Sequence, residues 1–367
     1  MKIIIATTGS GGHLSPAIAL AEELKRRSPD LDLYFIASGQ PLTEGQLKGK
    51  AFKIIVFPAL SPKKSFALQN IILIIKLIDI ALRSLFIIIK IRPDLSIGFG
   101  GYISGPVILF SHLLSVRTVI HEQNLKLGRA NRILSKFVDN VALSFEDSVE
   151  FLRHQDKAFV CGNPLRKDLI SSLTRQEACL DIGLTPNRFT VLVTGGSLGA
   201  RHINKEFINL LRDWKDPDSI QVIHISGELD FQDVVSDYDT IKIPHKVFSH
   251  FSKMQYAYRC SDLAVCRAGA TTIAELAFFG LPAILIPYPY ARGNHQLENA
   301  VLLKNYSAAI LIEDDKLEAG VLEKHILGLI REPKELTRMS QNIKKFARPE
   351  AAKELADLVF SYSPSLR

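Results

Sequence analysis

We predict from the sequence that this chain of 367 residues forms two doubly wound α/β domains. A single hydrophobic core seldom extends beyond about 250–300 residues, so a chain of this length is expected to divide. Two segments, one at the start and one near the middle, each combine a short β-branched apolar run with a glycine-rich loop and a helical pattern. Apolar runs alternate with helical patterns along the rest of the chain, which is typical of βαβ units.

The first of these segments opens the chain. Residues 2–7 (KIIIAT) are short, apolar and β-branched, which predicts a strand buried on both faces of a parallel sheet. Residues 8–13 (TGSGGH) form the glycine-rich loop. A helix is predicted from about Ser15, with Pro16 in its first turn.

The second segment repeats this order, with a strand at 190–194, a glycine loop at 195–200 and then a helix. Because Pro164 interrupts the pattern, we place the domains at 1–163 and 164–340. Residues 341–367 are expected to form a C-terminal helix that packs back on the first domain, within an amphipathic pattern that spans about 335–360. The remaining strands are predicted at 33–36, 95–98, 118–121, 141–143, 221–225, 263–266 and 283–286.

Composition narrows the class of protein. With 47% hydrophobic and 23% charged residues the chain is expected to fold, and its net charge of +7 favours nucleic acid, phosphorylated ligands or anionic lipid headgroups as partners. The four cysteines show no C-x-x-C pair and no Cys/His metal spacing, and the D-x-D triplets fall in polar turns, so no metal site is predicted. Without a signal-peptide pattern or a disulfide framework, we expect a cytoplasmic location.

Residues 68–91 are the most apolar part of the chain and are long enough to suggest a membrane-spanning helix. However, Lys76, Asp79, Arg83 and Lys90 fall within an arc of roughly 60° when the helix is projected at 100° per residue. A helix that lies flat at the membrane surface keeps such a stripe in water and buries its apolar remainder in lipid. We therefore predict membrane docking, assisted by Lys63, Lys64 and Arg92, and keep an ordinary packed helix as the alternative.

Three loops are suited to phosphate and sugar. Both glycine loops precede a helix N-terminus, where backbone N–H groups and the helix dipole attract anions. The run 266–276 (CRAGATTIAEL) also follows a buried strand and opens a helix, and Glu275 on that helix can accept the hydroxyls of a ribose. Alternatively, Thr272 and Glu275 form a capping box, and both roles are compatible. Polar residues 293–300 are suited to sugar hydroxyls.

A dinucleotide dehydrogenase does not fit these loops. Its G-x-G-x-x-G pattern fails at Leu14, and the second predicted strand ends in Ala37 and Ser38 without the acid that binds the ribose.

Seven runs occur in order along nearly the whole chain: TGSGGHLSPAIALAEEL, GFGGYISGP, HEQN, GNPLR, TGGSLGARHIN, CRAGATTIAELAFFGLPAILIP and NHQLENA. Together they resemble the family of UDP-N-acetylglucosamine:undecaprenyl-pyrophosphoryl-muramyl-pentapeptide transferases of bacterial peptidoglycan synthesis. The resemblance implies a GT-B fold, in which two Rossmann-like domains face a central cleft. It also implies an inverting transfer to the 4-hydroxyl of the muramyl sugar, with UDP-N-acetylglucosamine as substrate and with no metal or other cofactor.

The resemblance further implies where the protein acts. The N-terminal domain is expected to bind the lipid-linked muramyl pentapeptide and the C-terminal domain the donor. The enzyme is expected to be peripheral, on anionic lipids at the cytoplasmic face of the bacterial inner membrane. Cell-wall and division proteins are its expected partners, and nucleic acid is not.

The resemblance assigns roles to individual residues. The binding residues that it implies are Ser10, Gly11 and Gly12 in the first loop, Asn124 for the donor sugar or the acceptor, Arg166 and Ser197 for the diphosphate, Phe251 for uracil, Ala270, Thr271, Thr272, Ile273, Ala274 and Glu275 for phosphate and ribose, and Gln296 for the sugar hydroxyls. Two positions depart from the family pattern: Ser10 replaces a threonine but keeps the hydroxyl, and His295 replaces a glutamine.

The transfer needs a base for the attacking hydroxyl and positive charge near the departing UDP. His13 is the predicted base or proton relay because it lies on the glycine loop and titrates near neutrality; a histidine that merely caps that turn is the alternative. His121 and Glu122 are weaker candidates. Arg166 and the helix N-terminus at Ala270 are expected to stabilise the leaving group.

Other functions remain open at this stage. A lipid glucosyltransferase and a UDP-sugar epimerase would share the fold, and a membrane-bound scaffold that binds UDP-sugar without turnover would share the binding loops.

Overall fold

A computed structural model describes residues 1–9, 11–39, 45, 47–60, 67–170, 172–196 and 199–362, with the backbone alone for 67–72. The chain forms two compact units. Unit 1 comprises Met1–Arg166 together with Arg348–Arg367, and unit 2 comprises Lys167–Ala347. The chain therefore passes from unit 1 to unit 2 after residue 166 and returns to unit 1 after residue 347. The sequence placed these boundaries a few residues earlier, at 163 and 340. The second lies later because Met339 and Ile343 are buried within unit 2.

Unit 1 is built on a seven-stranded parallel sheet in the order β3-β2-β1-β4-β5-β6-β7. Its strands are β1 (Lys2–Ala6), β2 (Asp32–Ser38), β3 (Lys53–Phe57), β4 (Leu95–Gly98), β5 (Arg117–Glu122), β6 (Asn140–Leu143) and β7 (Ala158–Val160). Its helices are α1 (Gly11–Arg27), α2 (Ala67–Ile91), α3 (Gly101–Leu113), α4 (Arg129–Leu134) and, from the C-terminal segment, α13 (Ala351–Ser361).

Helices cover both faces of this sheet. Along β1, Ile3 and Ile5 pack into the cluster that holds α1 and α13, whereas Ile4 and Ala6 pack into the cluster that holds α2 and α3. All four side chains are fully buried because successive residues of a strand point to opposite faces. This confirms the prediction that the apolar run at the start of the chain is a two-faced interior strand.

Unit 2 has the same design, with a six-stranded parallel sheet in the order β10-β9-β8-β11-β12-β13. Its strands are β8 (Phe189–Thr194), β9 (Ile220–Ile225), β10 (His245–Phe248), β11 (Leu263–Cys266), β12 (Ala283–Leu285) and β13 (Ala309–Leu311). Its helices are α5 (Arg175–Ile182), α6 (Arg201–Arg212), α7 (Phe231–Tyr238), α8 (Met254–Cys260), α9 (Ala270–Phe279), α10 (His295–Asn305), α11 (Ala319–Arg331) and α12 (Pro333–Lys344).

Four strands lie outside the sequence prediction, namely β3, β7, β10 and β13. Each is the outermost strand of its sheet. Their side chains are half-buried or exposed over most of their length. Apolar residues nevertheless make up β7 (AFV), β13 (AIL) and most of β3 (KIIVF), so the prediction missed these runs although the apolar pattern was present.

Two helix boundaries also differ from the prediction. Helix α1 begins at Gly11 rather than near Ser15, so Gly11 to His13 form its first turn instead of a loop. The amphipathic pattern over 335–360 is not one helix: α12 and α13 are separate, with Pro349 in the connection between them. Helix α13 packs on α1, where Arg27 of α1 forms an ion pair with Asp357.

The structure corrects the expectation that the cysteines form no disulfide. Cys179 and Cys260 are bonded, with Cα atoms 5.0 Å apart, although 81 residues separate them in sequence. Cys179 lies on α5 and Cys260 on α8, and these two helices pack side by side. Sequence spacing could not reveal the pair because it depends on that helix contact. Cys161 and Cys266 are buried free thiols.

His224 on β9 is a buried group that makes the stability of unit 2 depend on pH. Its Nε2 lies 3.1 Å from Asn204 Oδ1, and its Nδ1 lies 3.1 Å from the Tyr238 hydroxyl. Burial, reinforced by nearby His245, lowers the pKa of His224 from 6.5 to about 3. Between these values an unfolded chain binds a proton that the folded chain does not, so the free energy of unfolding must fall as the pH falls.

We expect unit 2 to lose about 1.4 kcal/mol of stability through His224 for each pH unit below about 6.5. His224→Gln should lower the stability at neutral pH yet flatten this slope. Trp214, the only tryptophan and a member of the unit 2 core, provides a fluorescence signal for denaturant unfolding between about pH 5 and 7. His250→Gln, at an exposed position, is the matched control. Equal slopes for His224→Gln and the wild type would contradict this prediction.

Candidate active site

The first glycine loop lies at the carboxyl end of β1, where ligands bind in open parallel sheets. The Gly9 N–H donates to Ser38 Oγ at the end of β2, at 2.8 Å. Gly12 is exposed in the first turn of α1, and a Cβ placed there would meet nothing within 4 Å. A side chain-free Gly12 in the first turn of this 17-residue helix leaves room for close approach of a ligand to the helix start. Ser10 lies outside the described residues.

His13 lies in the first turn of α1 and is half-buried. Its Nδ1 is 2.8 Å from Oε1 of Gln123, which follows β5. Gly100, with φ of 93°, passes beside the imidazole, and a Cβ at that position would lie 3.2 Å from His13 Cε1. The contact with Gln123 ties His13 to the connection that follows β5.

The two weaker candidates for the base are both buried at the end of β5. His121 is fully buried, its Nε2 lies 2.9 Å from the Gly162 carbonyl oxygen, and burial lowers its pKa to about 4. Glu122 is buried and accepts hydrogen bonds from the backbone N–H groups of Asn124 and Gly128 and from the amide groups of Asn124 and Asn131, at 2.9 to 3.1 Å. The Glu122 carboxylate thus shapes the loop that presents Asn124.

The second glycine loop follows β8 in unit 2. A Cβ on Gly195 would lie 2.2 Å from the Ala200 nitrogen, so the chain can turn this tightly into α6 only without a side chain. Ser197 of this loop lies outside the described residues. Phe251 follows the carboxyl end of β10, as the second glycine loop follows that of β8. Its ring packs against Phe248, with ring centroids 4.5 Å apart.

The predicted phosphate and ribose residues lie on α9, which begins directly after β11. Gly269 is the N-cap and no side chain caps the helix, so the capping box predicted for Thr272 and Glu275 is wrong. Thr272 is already inside the helix, and the Glu275 carboxylate instead accepts a hydrogen bond from the Tyr258 hydroxyl at 2.6 Å.

Gln296 lies in the first turn of α10, after β12. Its Oε1 accepts a hydrogen bond from the Tyr288 backbone N–H at 2.9 Å, which holds the residue against the loop that leads into α10. His295 beside it directs Nδ1 to the Arg292 carbonyl oxygen at 2.7 Å.

Arg267 is a residue to which sequence reasoning gave no role. Its guanidinium donates to the carbonyl oxygens of Ile286 and Pro287, both at 3.2 Å, and forms an ion pair with Asp314. It also lies over the Tyr288 ring, 5.5 Å from the centroid. Arg267 therefore links the segment that begins α9 to the segment that leads to Gln296. Its position directly before the glycine turn is the only sequence signal for this role.

The described residues of unit 2 that the sequence assigned to the site lie at the carboxyl ends of the strands of its sheet. Strands β8, β11 and β12 are neighbours, and the second glycine loop, the start of α9 and the start of α10 follow them. In unit 1, Gly11, Gly12, His13 and Asn124 lie at the corresponding carboxyl edge, and Arg166 is half-buried at the end of the unit. No three His, Cys, Asp or Glu side chains in the described part of the chain are grouped so that they could hold a metal ion.

Two parallel-sheet α/β units, each with a glycine-rich loop at the carboxyl end of an interior strand, are typical of a GT-B glycosyltransferase fold. The chain belongs to glycosyltransferase family 28: the N-terminal domain of that family matches residues 3–143 and the C-terminal domain matches residues 190–355.

Similar proteins carry one name. The UDP-N-acetylglucosamine–N-acetylmuramyl-(pentapeptide) pyrophosphoryl-undecaprenol N-acetylglucosamine transferase of Halothermothrix orenii is 35% identical, over 98% of both chains. The protein of the same name from Halalkalibacterium halodurans is 34% identical, over 98% of this chain and 99% of its own.

Solved structures share the fold. Acinetobacter baumannii MurG has a TM-score of 0.78 at 24% identity, with 98% of this chain and 100% of that chain covered. The UDP-GlcNAc 2-epimerase from Neisseria meningitidis has a TM-score of 0.71 at 14% identity, with 98% and 100% covered. These likenesses confirm the predicted GT-B arrangement of two Rossmann-like units.

Proposed function

We propose that this enzyme transfers N-acetylglucosamine from UDP-N-acetylglucosamine to the 4-hydroxyl of the muramyl sugar of undecaprenyl-pyrophosphoryl-muramyl-pentapeptide, in bacterial peptidoglycan synthesis. The observation that carries the proposal is the 35% identity, over 98% of the chain, to a transferase named for these substrates. The loops at the carboxyl edges of both sheets support it, because they offer the groups that a nucleotide diphosphate and a sugar need.

Unit 2 binds the donor in this proposal. The first N–H groups of α9, at Ala270 to Thr272, receive the diphosphate, and Glu275, held by the Tyr258 hydroxyl, accepts the ribose hydroxyls. The Ile273 N–H already donates to the Gly269 carbonyl oxygen within the helix, so it is not part of this contact. Phe251 lies against uracil, and Gln296 binds hydroxyls of the sugar. Arg166 and Ser197 contribute to the diphosphate site.

Unit 1 binds the acceptor, and Gly11, Gly12 and Asn124 help to place the reacting groups. His13 takes the proton of the 4-hydroxyl while that oxygen bonds to C1 of the donor sugar. The bond between C1 and the diphosphate breaks from the opposite face, which inverts the anomeric centre. The negative charge of the departing UDP is stabilised by Arg166 and by the N-terminus of α9.

Helix α2 supports docking to a membrane. Lys76, Asp79, Arg83 and Lys90 occupy one stripe of the helix, and Ile80 and Ile88 on another face pack into the core. Between them lies an exposed apolar stripe, which comprises Ile74, Ile75, Ile78, Leu82, Phe86 and Ile89. So much exposed apolar surface on one helix is typical of an interface and is not needed for packing.

The exposed apolar surface continues from α2 onto its neighbours. Leu109 and Leu113 on α3, and Ile133 and Phe137 at α4, are also exposed, and α3 packs against both α2 and α4. No helix of the described residues is both long enough and apolar enough to span a bilayer. In this proposal the enzyme docks on the cytoplasmic face of the inner membrane, with Arg92 near anionic headgroups. Lys63 and Lys64 lie outside the described residues.

The decisive experiment for the reaction is transfer of labelled N-acetylglucosamine from UDP-N-acetylglucosamine to a lipid-linked muramyl peptide, with UDP release followed in parallel. Label in the lipid product, in step with UDP release, is the expected result. Preference for UDP-glucose would identify a glucosyltransferase, and isomerised free UDP-sugar would identify an epimerase. Donor binding without any turnover would identify a binding scaffold. Each of these three outcomes overturns the proposal.

His13→Ala should lower the turnover number by roughly 10²–10⁴-fold with little change in donor binding, because it removes a proton acceptor that acts in the transition state. Steady-state kinetics and a UDP-N-acetylglucosamine titration measure the two effects. His154→Ala, an exposed histidine of the same unit, is the control. Near-normal turnover by a folded His13→Ala protein would remove His13 from the mechanism.

Glu275→Ala should raise the Michaelis constant for UDP-N-acetylglucosamine far more than it lowers turnover at saturating donor, because ribose contacts are equal in the ground and transition states. Tyr258→Phe, which leaves the carboxylate without its hydroxyl donor, should shift the same constant in the same direction by a smaller factor. Glu335→Ala on α12 is the control in the same unit. An unchanged Michaelis constant for Glu275→Ala would exclude a ribose contact.

Replacement of Leu82 and Phe86 by aspartate should abolish binding to vesicles that contain anionic phospholipid, because these side chains are 63% and 65% exposed on the apolar stripe. Leu85, an apolar residue next to Phe86 on the same helix, is half-buried and is therefore left unchanged. Leu180→Asp, at a 61% exposed leucine on α5, is the control. The double variant should retain most of its activity on a short soluble acceptor.

Salt separates the two contributions to docking. High ionic strength should release only part of the wild-type protein from vesicles, since it screens the basic residues but leaves apolar burial intact. Vesicle co-flotation with and without salt measures this. Complete release of the wild type by salt alone would contradict apolar docking.

A further inference from the structure

A chain of hydrogen bonds inside unit 1 connects the backbone at the end of β7 to His13. The Gly162 carbonyl oxygen lies 2.9 Å from His121 Nε2, and His121 Nδ1 lies 3.0 Å from Gln123 Nε2. Gln123 Oε1 then lies 2.8 Å from His13 Nδ1. The direction in which hydrogens are donated along this chain decides which nitrogen of His13 carries the proton.

The hydrogen bond to Gly162 determines which ring nitrogen of His121 carries the hydrogen. A carbonyl oxygen only accepts, so His121 Nε2 must carry the hydrogen that it donates to Gly162. His121 is fully buried, and its pKa of about 4 keeps the ring neutral near neutral pH. A neutral imidazole has one N–H, so His121 Nδ1 carries a lone pair and accepts from Gln123.

The orientation of the Gln123 amide is fixed by two further acceptors. Its nitrogen lies 3.3 Å from the Phe99 carbonyl oxygen and 3.2 Å from the His121 carbonyl oxygen, in addition to the His121 ring nitrogen. A flipped amide would place its oxygen against two carbonyl oxygens and a lone pair. Gln123 is buried, so water does not relieve such a clash. The amide oxygen therefore faces His13.

The contact between Gln123 and His13 determines the tautomer of His13. Because Gln123 Oε1 only accepts, His13 Nδ1 must carry the hydrogen at this contact, and the neutral ring then has its lone pair on Nε2. We infer that Gln123 is a positioning residue that holds His13 in the Nδ1–H tautomer, so that Nε2 is the nitrogen that takes the proton from the acceptor hydroxyl. This inference rests on the proposed function, in which His13 is the base.

The arrangement also suits the step after proton transfer. Imidazolium keeps its Nδ1–H, so the bond to Gln123 persists when His13 becomes charged, and no side chain has to reorient. An amide carries no net charge, unlike the carboxylate that orients histidine in serine hydrolases. The amide thus fixes the tautomer without adding the attraction of an anion to the protonated ring.

The first test is made on the wild-type protein. Histidine is labelled with ¹⁵N on its side chain, and the His13 signals are assigned by their absence in the spectrum of His13→Ala. We expect a pyrrole-type shift for Nδ1 and a pyridine-type shift for Nε2 of His13. The opposite pattern would overturn the inference. This measurement does not depend on whether any variant of Gln123 folds.

The second test uses Gln123→Met, which keeps the length of the side chain and removes all four hydrogen bonds of the amide, those to His13 and His121 included. We expect turnover to fall by about 10- to 10³-fold, with the Michaelis constant for UDP-N-acetylglucosamine nearly unchanged, and the His13 nitrogen shifts to move toward a mixture of tautomers. The control is Gln221→Met, another buried glutamine, which bonds Thr185 and Thr190 in unit 2. Wild-type turnover and unchanged His13 shifts in Gln123→Met would contradict the inference.

The failure of this inference and the failure of the proposed function give different results. If His13→Ala loses turnover while the wild-type His13 carries its hydrogen on Nε2, His13 remains the base and only the role of Gln123 is wrong. If His13→Ala keeps turnover, the assignment of the base fails, and the role of Gln123 in the reaction fails with it.

Discussion

Burial of the central parallel strands on both faces is the constraint on which the rest of this structure depends. Strands β1 and β8 lie inside sheets whose strands all run parallel, so each connection must cross over a face of the sheet, and most of these crossovers contain an α-helix. The connections that leave the carboxyl ends of the strands therefore all emerge on one side of each sheet. That side holds the glycine loops, the starts of α1, α9 and α10, and the loop after β5.

The carboxyl end of β5 shows how buried polar groups support the proposed chemistry. Glu122 collects four N–H donors and shapes the loop of Asn124, while His121 and Gln123 connect the backbone to His13. A buried polar group is costly unless it is hydrogen-bonded, so such a network holds its members in one arrangement. Of the two rival candidates for the base, His121 is thus linked through Gln123 to the proposed base, and Glu122 shapes the neighbouring loop.

The interior of the fold could be predicted from the sequence because interior strands of parallel sheets are continuous apolar runs. All nine strands predicted in this way are present, and the four that were missed are the edges of the two sheets. Of the missed edge strands β10 (HKVF) is half polar, whereas β7 (AFV) and β13 (AIL) are apolar but only three residues long. The capping box is absent because Gly269 is the N-cap of α9 and Thr272 lies inside the helix, and Glu275 bonds Tyr258 on another helix.

The sequence by itself determined the two-unit α/β fold, the family and the loops that precede the candidate ligand-binding helices α1, α9 and α10. These features depend on local patterns of apolar residues, glycine and polar side chains. Only the tertiary structure decided the pairing of His13 with Gln123, 110 residues away, and of Cys179 with Cys260. It also decided which apolar residues of α2 remain exposed and which, like Ile80, are buried. Such pairings depend on which strands become neighbours in a sheet and which helices pack together, and no local pattern in the sequence encodes that order.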